Sequence, residues 1–114
     1  SVRQLLAGAN ARIGEDRASL PSLRTRAMAG ASGRDARSAG DAFFGYGQYA
    51  EAAALYRAAL QKGGEDANLI NTRLGIALVR AGQRAEAEAA FRAVTGPRAD
   101  LAAMWLLWLE RPAA

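Results

Sequence analysis

Residues 47–60 read GQYAEAAALYRAAL and residues 82–95 read GQRAEAEAAFRAVT, so one short chain states nearly the same pattern twice, thirty-five residues apart. At that offset Gly40 falls on Gly75, Gly47 on Gly82, Gln48 on Gln83, Glu51 on Glu86, Ala52 on Ala87, Tyr56 on Phe91 and Arg57 on Arg92. The glycines and aromatics match along with the alanines, which makes the offset a true repeat rather than an echo of alanine-rich composition.

Each copy has the same physical plan. A glycine lies inside a first helix, a second glycine ends that helix, and an Ala-x-x-x-aromatic pair opens the next. In the second copy Leu74, Ile76, Ala77, Leu78 and Val79 belong to the first helix. Ala87, Ala90, Phe91 and Val94 recur at helical spacing on the second, with Gly82 as the break. Gly75 and Ala87 permit close approach and Phe91 fills the space beside them. One such pair leaves an apolar face open, so the copies are expected to stack.

Composition agrees. The chain has 114 residues, the size of one domain. It is 51% hydrophobic but only 7% aromatic, which predicts a core of small side chains. Few residues are β-branched and no stretch alternates polar with apolar, so the fold class is all-α.

The pattern resembles the tetratricopeptide repeat over about residues 33–110. The family signature is W-x2-L-G-x2-Y, then A-x3-F, then P. The second copy supplies Leu74-Gly75, Leu78 in place of the tyrosine, and Ala87-x3-Phe91; the first supplies Gly40, Phe43 and Ala52-x3-Tyr56. Ala36 and Asn71 stand where the tryptophan would be, and KGGED at residues 62–66 replaces the first closing proline. The resemblance implies a right-handed stack of antiparallel helix pairs, with repeats at 33–66 and 67–97 and a capping helix at 98–111. Asp100 is expected to cap that last helix. Met104, Trp105, Leu107, Trp108 and Leu109 are expected to cover the end of the stack, with both tryptophans in the core. Residues 1–32 do not match at the same offset. Val2, Leu5, Leu6, Ala9 and Ile13 have helical spacing, and a second helix is expected from Ser19 or Leu20 with Pro21 in its first turn, giving a helical pair or a degenerate repeat.

The net charge of +4 and a pI near 10.3 raise the question of nucleic acid. The arginines are scattered singly among acids, with no basic block, which disfavours it. Lys62 is the single lysine among fifteen basic residues, a bias that fits a GC-rich, bacterial genome. No apolar run is long enough to cross a bilayer. The chain starts at Ser1 without an initiator methionine, which is expected of a processed or excised product, and cytoplasm and periplasm both stay open.

Candidate chemistry is sparse. Without histidine or cysteine, the usual proton shuttle, thiol nucleophile and nearly all zinc sites are missing, and no G-x-S-x-G surrounds a serine, so no catalytic residue, metal or cofactor is assigned. The adjacent acids Glu15-Asp16 and Glu65-Asp66 are expected at solvated helix starts. GYGQYA at residues 45–50 fits a dinucleotide fingerprint by letter, but helical sequence precedes it where a strand is required, and the second copy lacks the glycine at that place. Gly45 is therefore incidental.

What remains is a surface. By the resemblance, first helices line a concave groove whose exposed positions are Arg34, Arg37, Asp41 and Phe44 in the first copy and Leu69, Thr72, Arg73, Ile76 and Arg80 in the second. Such a set suits a protein or peptide partner with acids and one apolar anchor. Asp41 stands where the family's carboxylate clamp has asparagine, which argues against a C-terminal carboxylate as ligand. The competing reading of these arginines is ordinary solvation or ion pairing with Asp41, Asp35 and neighbours. At the level of function, a non-catalytic interaction module leads, and a structural or self-assembling segment of a longer repeat protein is the alternative.

Overall fold

The computed structural model describes residues 20–110, which form helices joined by tight turns, with no strand among them. Helix α1 covers residues 20–29. It is followed by α2 (Gly33–Gly45), α3 (Tyr49–Lys62), α4 (Ala67–Arg80), α5 (Arg84–Arg92), a 3-10 turn (Gly96–Arg98) and α6 (Ala99–Leu109). The all-α, repeat-stack expectation holds.

Two hairpins carry the repeat. Helix α2 packs on α3 and α4 on α5, while α3 against α4 and α5 against α6 join one pair to the next. The small residues set how close the helices come. A Cβ at Gly40 would lie 2.8 Å from the Tyr56 ring, and one at Gly75 would lie 2.5 Å from the Phe91 ring. The aromatic of each second helix therefore lies directly against the glycine of its first helix. Around these rings Ala36, Ala39, Ala52, Ala59, Ala77 and Ala87 are fully covered, with Leu55, Ile70 and Leu78.

Both hairpin turns are Schellman motifs built on a glycine in the left-handed region, Gly47 at φ 77° and Gly82 at φ 80°. In the first, the Gln48 amide donates to the Phe43 carbonyl and the Gly47 amide to Phe44; in the second, Gln83 donates to Leu78 and Gly82 to Val79. Helix starts are capped where the sequence allows it. Ser32 accepts from the Asp35 amide, and Asp66 accepts from the amides of Asn68 and Leu69. The lone lysine serves the other polarity, since Lys62 Nζ donates to the carbonyls of Met28 and Gly30 at the end of α1.

Three expectations are corrected. Asp100 does not cap α6; the chain enters that helix through the Gly96–Arg98 turn, and Asp100 lies in its first helical turn. Trp108 is not core but 49% exposed, and Met104 and Leu107 cover little, because the side of α6 that meets α5 carries Ala102, Trp105, Leu106 and Leu109. Thr72, expected on the groove surface, is buried and donates its hydroxyl to the Asn68 carbonyl one turn earlier. The helix expected over Val2–Ile13 and the acids Glu15-Asp16 lie outside the described residues.

Candidate functional site

The first helices of the two repeats, α2 and α4, hold the nine candidate residues, and apart from buried Thr72 the structure divides them into two groups. Arg37, Asp41 and Arg73 come together in one ionic cluster. Arg37 lies one turn before Asp41 on α2, which brings its Nη1 within 3.2 Å of Asp41 Oδ2, while its Nε donates to Glu65 Oε1 at 3.1 Å. From α4, Arg73 Nη1 reaches the same Asp41 oxygen at 2.7 Å. The other Asp41 oxygen accepts the Tyr56 hydroxyl from α3 at 2.5 Å. One carboxylate thus ties α2, α3 and α4 together, and Glu65 adds the loop between the repeats.

The charges within this cluster cancel, two arginines against two carboxylates. Its hydrogen bond to Glu65 holds the Arg37 guanidinium even more firmly protonated. Burial, followed by the hydrogen bond to Asp41 and that group's charge, pushes the Tyr56 phenol well above the ordinary tyrosine value. Tyr56 therefore stays a neutral donor through the physiological range.

Pairing of the arginines with Asp41 was the competing reading of the sequence, while Tyr56 and Glu65 were not among the expected partners. A signal for Tyr56 was present. At the repeat offset, Asp41 and Tyr56 both become apolar, as Ile76 and Phe91, so the two positions change character together.

The second group stays on the surface. Arg34 is exposed on the first turn of α2, while Leu69 and Ile76 on α4 are half-buried. Phe44 is half-buried and meets Tyr49 edge-on at 5.2 Å between ring centres. Arg80, exposed at the end of α4, lies over the opposite partner of that pair, 5.5 Å from the centre of the Tyr49 ring. Tyr49, on α3, was not among the expected residues; it carries contacts from both first helices.

A further feature emerges at the end of the stack. Val79 and Arg80 of α4, with Leu101, Met104, Trp105, Leu107 and Trp108 of α6, line an open groove of about 770 Å³. Trp105 forms its floor, stacked on Phe91 at 5.6 Å with the rings nearly parallel. The sequence showed an apolar helix here but not that it exceeds what α5 can cover.

Among the described residues, no group of three or more His, Cys, Asp or Glu could hold a metal ion, and no helix is long and apolar enough to cross a membrane. A family model for the tetratricopeptide repeat matches residues 43–107, more than half of the chain, from within α2 to within α6. No curated protein and no solved structure matches it.

Proposed function

The chain belongs to the tetratricopeptide repeat family, whose repeats are protein-interaction modules and typically not catalytic, and on that premise we propose that it receives a peptide or protein partner on the face formed by α2 and α4. The observation that carries this reading is the neutral cluster at Asp41. With Asp41 held by Arg37, Arg73 and Tyr56, its charge no longer opposes an acidic ligand, and two other cations, Arg34 and Arg80, remain exposed on the same first helices. Between them Leu69, Ile76 and Phe44 offer half-covered apolar surface. The arrangement suits a segment with acids toward each end and an apolar anchor in the middle, because guanidinium groups pair with carboxylates while the anchor displaces water from the apolar strip. The composition fits a bacterial source, with cytoplasm and periplasm equally suited to such a module.

The test is capture from native host extract by the parent chain and by two charge-matched variants. Arg34→Glu with Arg80→Glu alters the proposed face; Arg26→Glu with Arg92→Glu makes the same charge change on α1 and α5. A protein retained by the parent and the second variant and lost by the first supports the reading. Equal capture by all three contradicts it.

A further inference from the structure

Helix α6, the last of the described helices, presents two apolar stripes where packing on α5 uses one. Ala102, Trp105, Leu106 and Leu109 face the core, with Ala102 and Leu109 buried and the other two packed against it. Rotated away from them are Leu101, Met104, Leu107 and Trp108, which are 43%, 68%, 66% and 49% exposed. Leu101, Met104 and Trp108 are spaced by three and then four residues, the seam of one helix packed on another. Asp100 is the one charged residue between Ala99 and Leu109. A helix apolar on all sides is stable in water only when both sides are covered.

We infer that the second stripe is covered by α6 of a second copy of this chain, packed antiparallel about a two-fold axis. The stripe is complementary to itself: with Met104 nearest the axis, Leu101 of one copy faces Trp108 of the other, and every contact occurs twice. Charge fixes the direction. Consecutive helices of the stack reverse, so α4 and α6 run the same way, and Arg80 at the end of α4 stands beside the C-terminal half of α6. Among the described residues, Arg80 is the only charged one lining the groove. An antiparallel α6 brings its Asp100, near its own start, to that end, so each copy's Arg80 meets the other's Asp100 at the rim. A parallel neighbour would carry Asp100 to the wrong end. Complementary rim charges of this kind select orientation more than they add affinity. This inference shares Arg80 with the proposed α2 and α4 face, but it rests on the α6 stripe, and no partner of that face enters its test.

The test is the mass of the chain in solution, by light scattering and sedimentation equilibrium from micromolar to sub-millimolar concentration. One copy is 12.0 kDa. The parent is expected at twice that mass, and Met104→Lys with Trp108→Lys at the mass of one copy with helical circular dichroism retained. Should that double variant fail to fold, the rim pair decides. Asp100→Arg and Arg80→Asp are each expected to weaken association by roughly fivefold, as two exposed ion pairs allow, and the two together to restore it. Four results would overturn the inference: a single-copy mass for the parent throughout, which leaves the stripe to a different protein; a mass that climbs beyond two copies; a dimer indifferent to changes at Met104 and Trp108; or no recovery in the charge exchange.

Discussion

At the scale of single residues, the account rests on two glycines pressed against two rings. The Phe91 ring is 1% exposed and stacked on Trp105, so it cannot swing aside to admit a Cβ at Gly75. Overpacking of that kind costs about 1–3 kcal/mol and alanine's better helix propensity returns up to about 1. Gly75→Ala is expected to destabilise the chain by about 1–2 kcal/mol in urea unfolding. The cost should shrink in a Phe91→Leu background, where the ring is gone. Tyr56 gives a second prediction, with a pH signature. Its phenol ionises less readily in the folded chain than in the unfolded one, whose ordinary value is 10.0. The unfolded state therefore loses its proton first as pH rises, and stability present below about pH 10 declines as pH climbs toward the folded value. Urea unfolding between pH 8 and pH 11 should show that decline in the parent. Tyr56→Phe should lose about 1.5 kcal/mol at neutral pH, the worth of a buried hydrogen bond to a charged group, and its decline at high pH should be shallower. The glycine and ring pairing was legible in the sequence because both partners repeat at one offset. The Tyr56 to Asp41 bond was written there too, as a paired change between copies, but only the structure shows that the two side chains meet.

At the scale of elements, the turns were legible and the last helix was only partly so. Gly47 and Gly82 sit where a periodic apolar pattern stops, and a left-handed residue after a helix is the local solution that favours glycine. Gly82→Ala is expected to cost about 1–2 kcal/mol, because a Cβ is strained at φ 80°. Gly45→Ala is the contrast. Gly45 ends α2 without a positive φ, and a Cβ there would meet nothing within 4 Å, so the change should be neutral or mildly stabilising. Thermal unfolding of the two variants side by side checks both. Helix α6 was legible as an apolar cap, yet which of its side chains face α5 was not. Helical periodicity gives angles between side chains, but when almost every position is apolar it does not say which angle points inward. Trp105 took the inward place through its stacking on Phe91, and Trp108 was left in the groove. Asp100 was misplaced for a related reason: Gly96–Arg98 forms a 3-10 turn that starts the helix earlier than a capping side chain alone would suggest.

At the scale of the whole molecule, a stack of two repeats presents two different surfaces. The α2 and α4 face carries exposed Arg34 and Arg80 around a central cluster whose charges cancel; the α4 and α6 groove is apolar, with Arg80 the one cation among the described residues that line it. The sequence indicated the first through residues placed by resemblance. The Arg37 to Asp41 pair lies one helical turn apart and is legible as such, but the Arg37 to Glu65 and Arg73 to Asp41 contacts join residues 28 and 32 positions apart across a helix packing that only the assembled stack defines. The commitment of both arginines to these acids narrows the proposed contact surface to Arg34, Phe44, Leu69, Ile76 and Arg80, and it predicts that Asp41→Ala weakens stability by more than a surface change would, through two arginines left beside each other without their shared acid. The most direct test of the central claim places a photo-activated cross-linker at Arg34 or Leu69 on the first helices, and at exposed Ala50 or Ala89 on the second helices, in the native host. The account predicts one common protein cross-linked from Arg34 and Leu69 and absent from Ala50 and Ala89. A protein captured from Ala50 and Ala89 but not from Arg34 or Leu69 would contradict it.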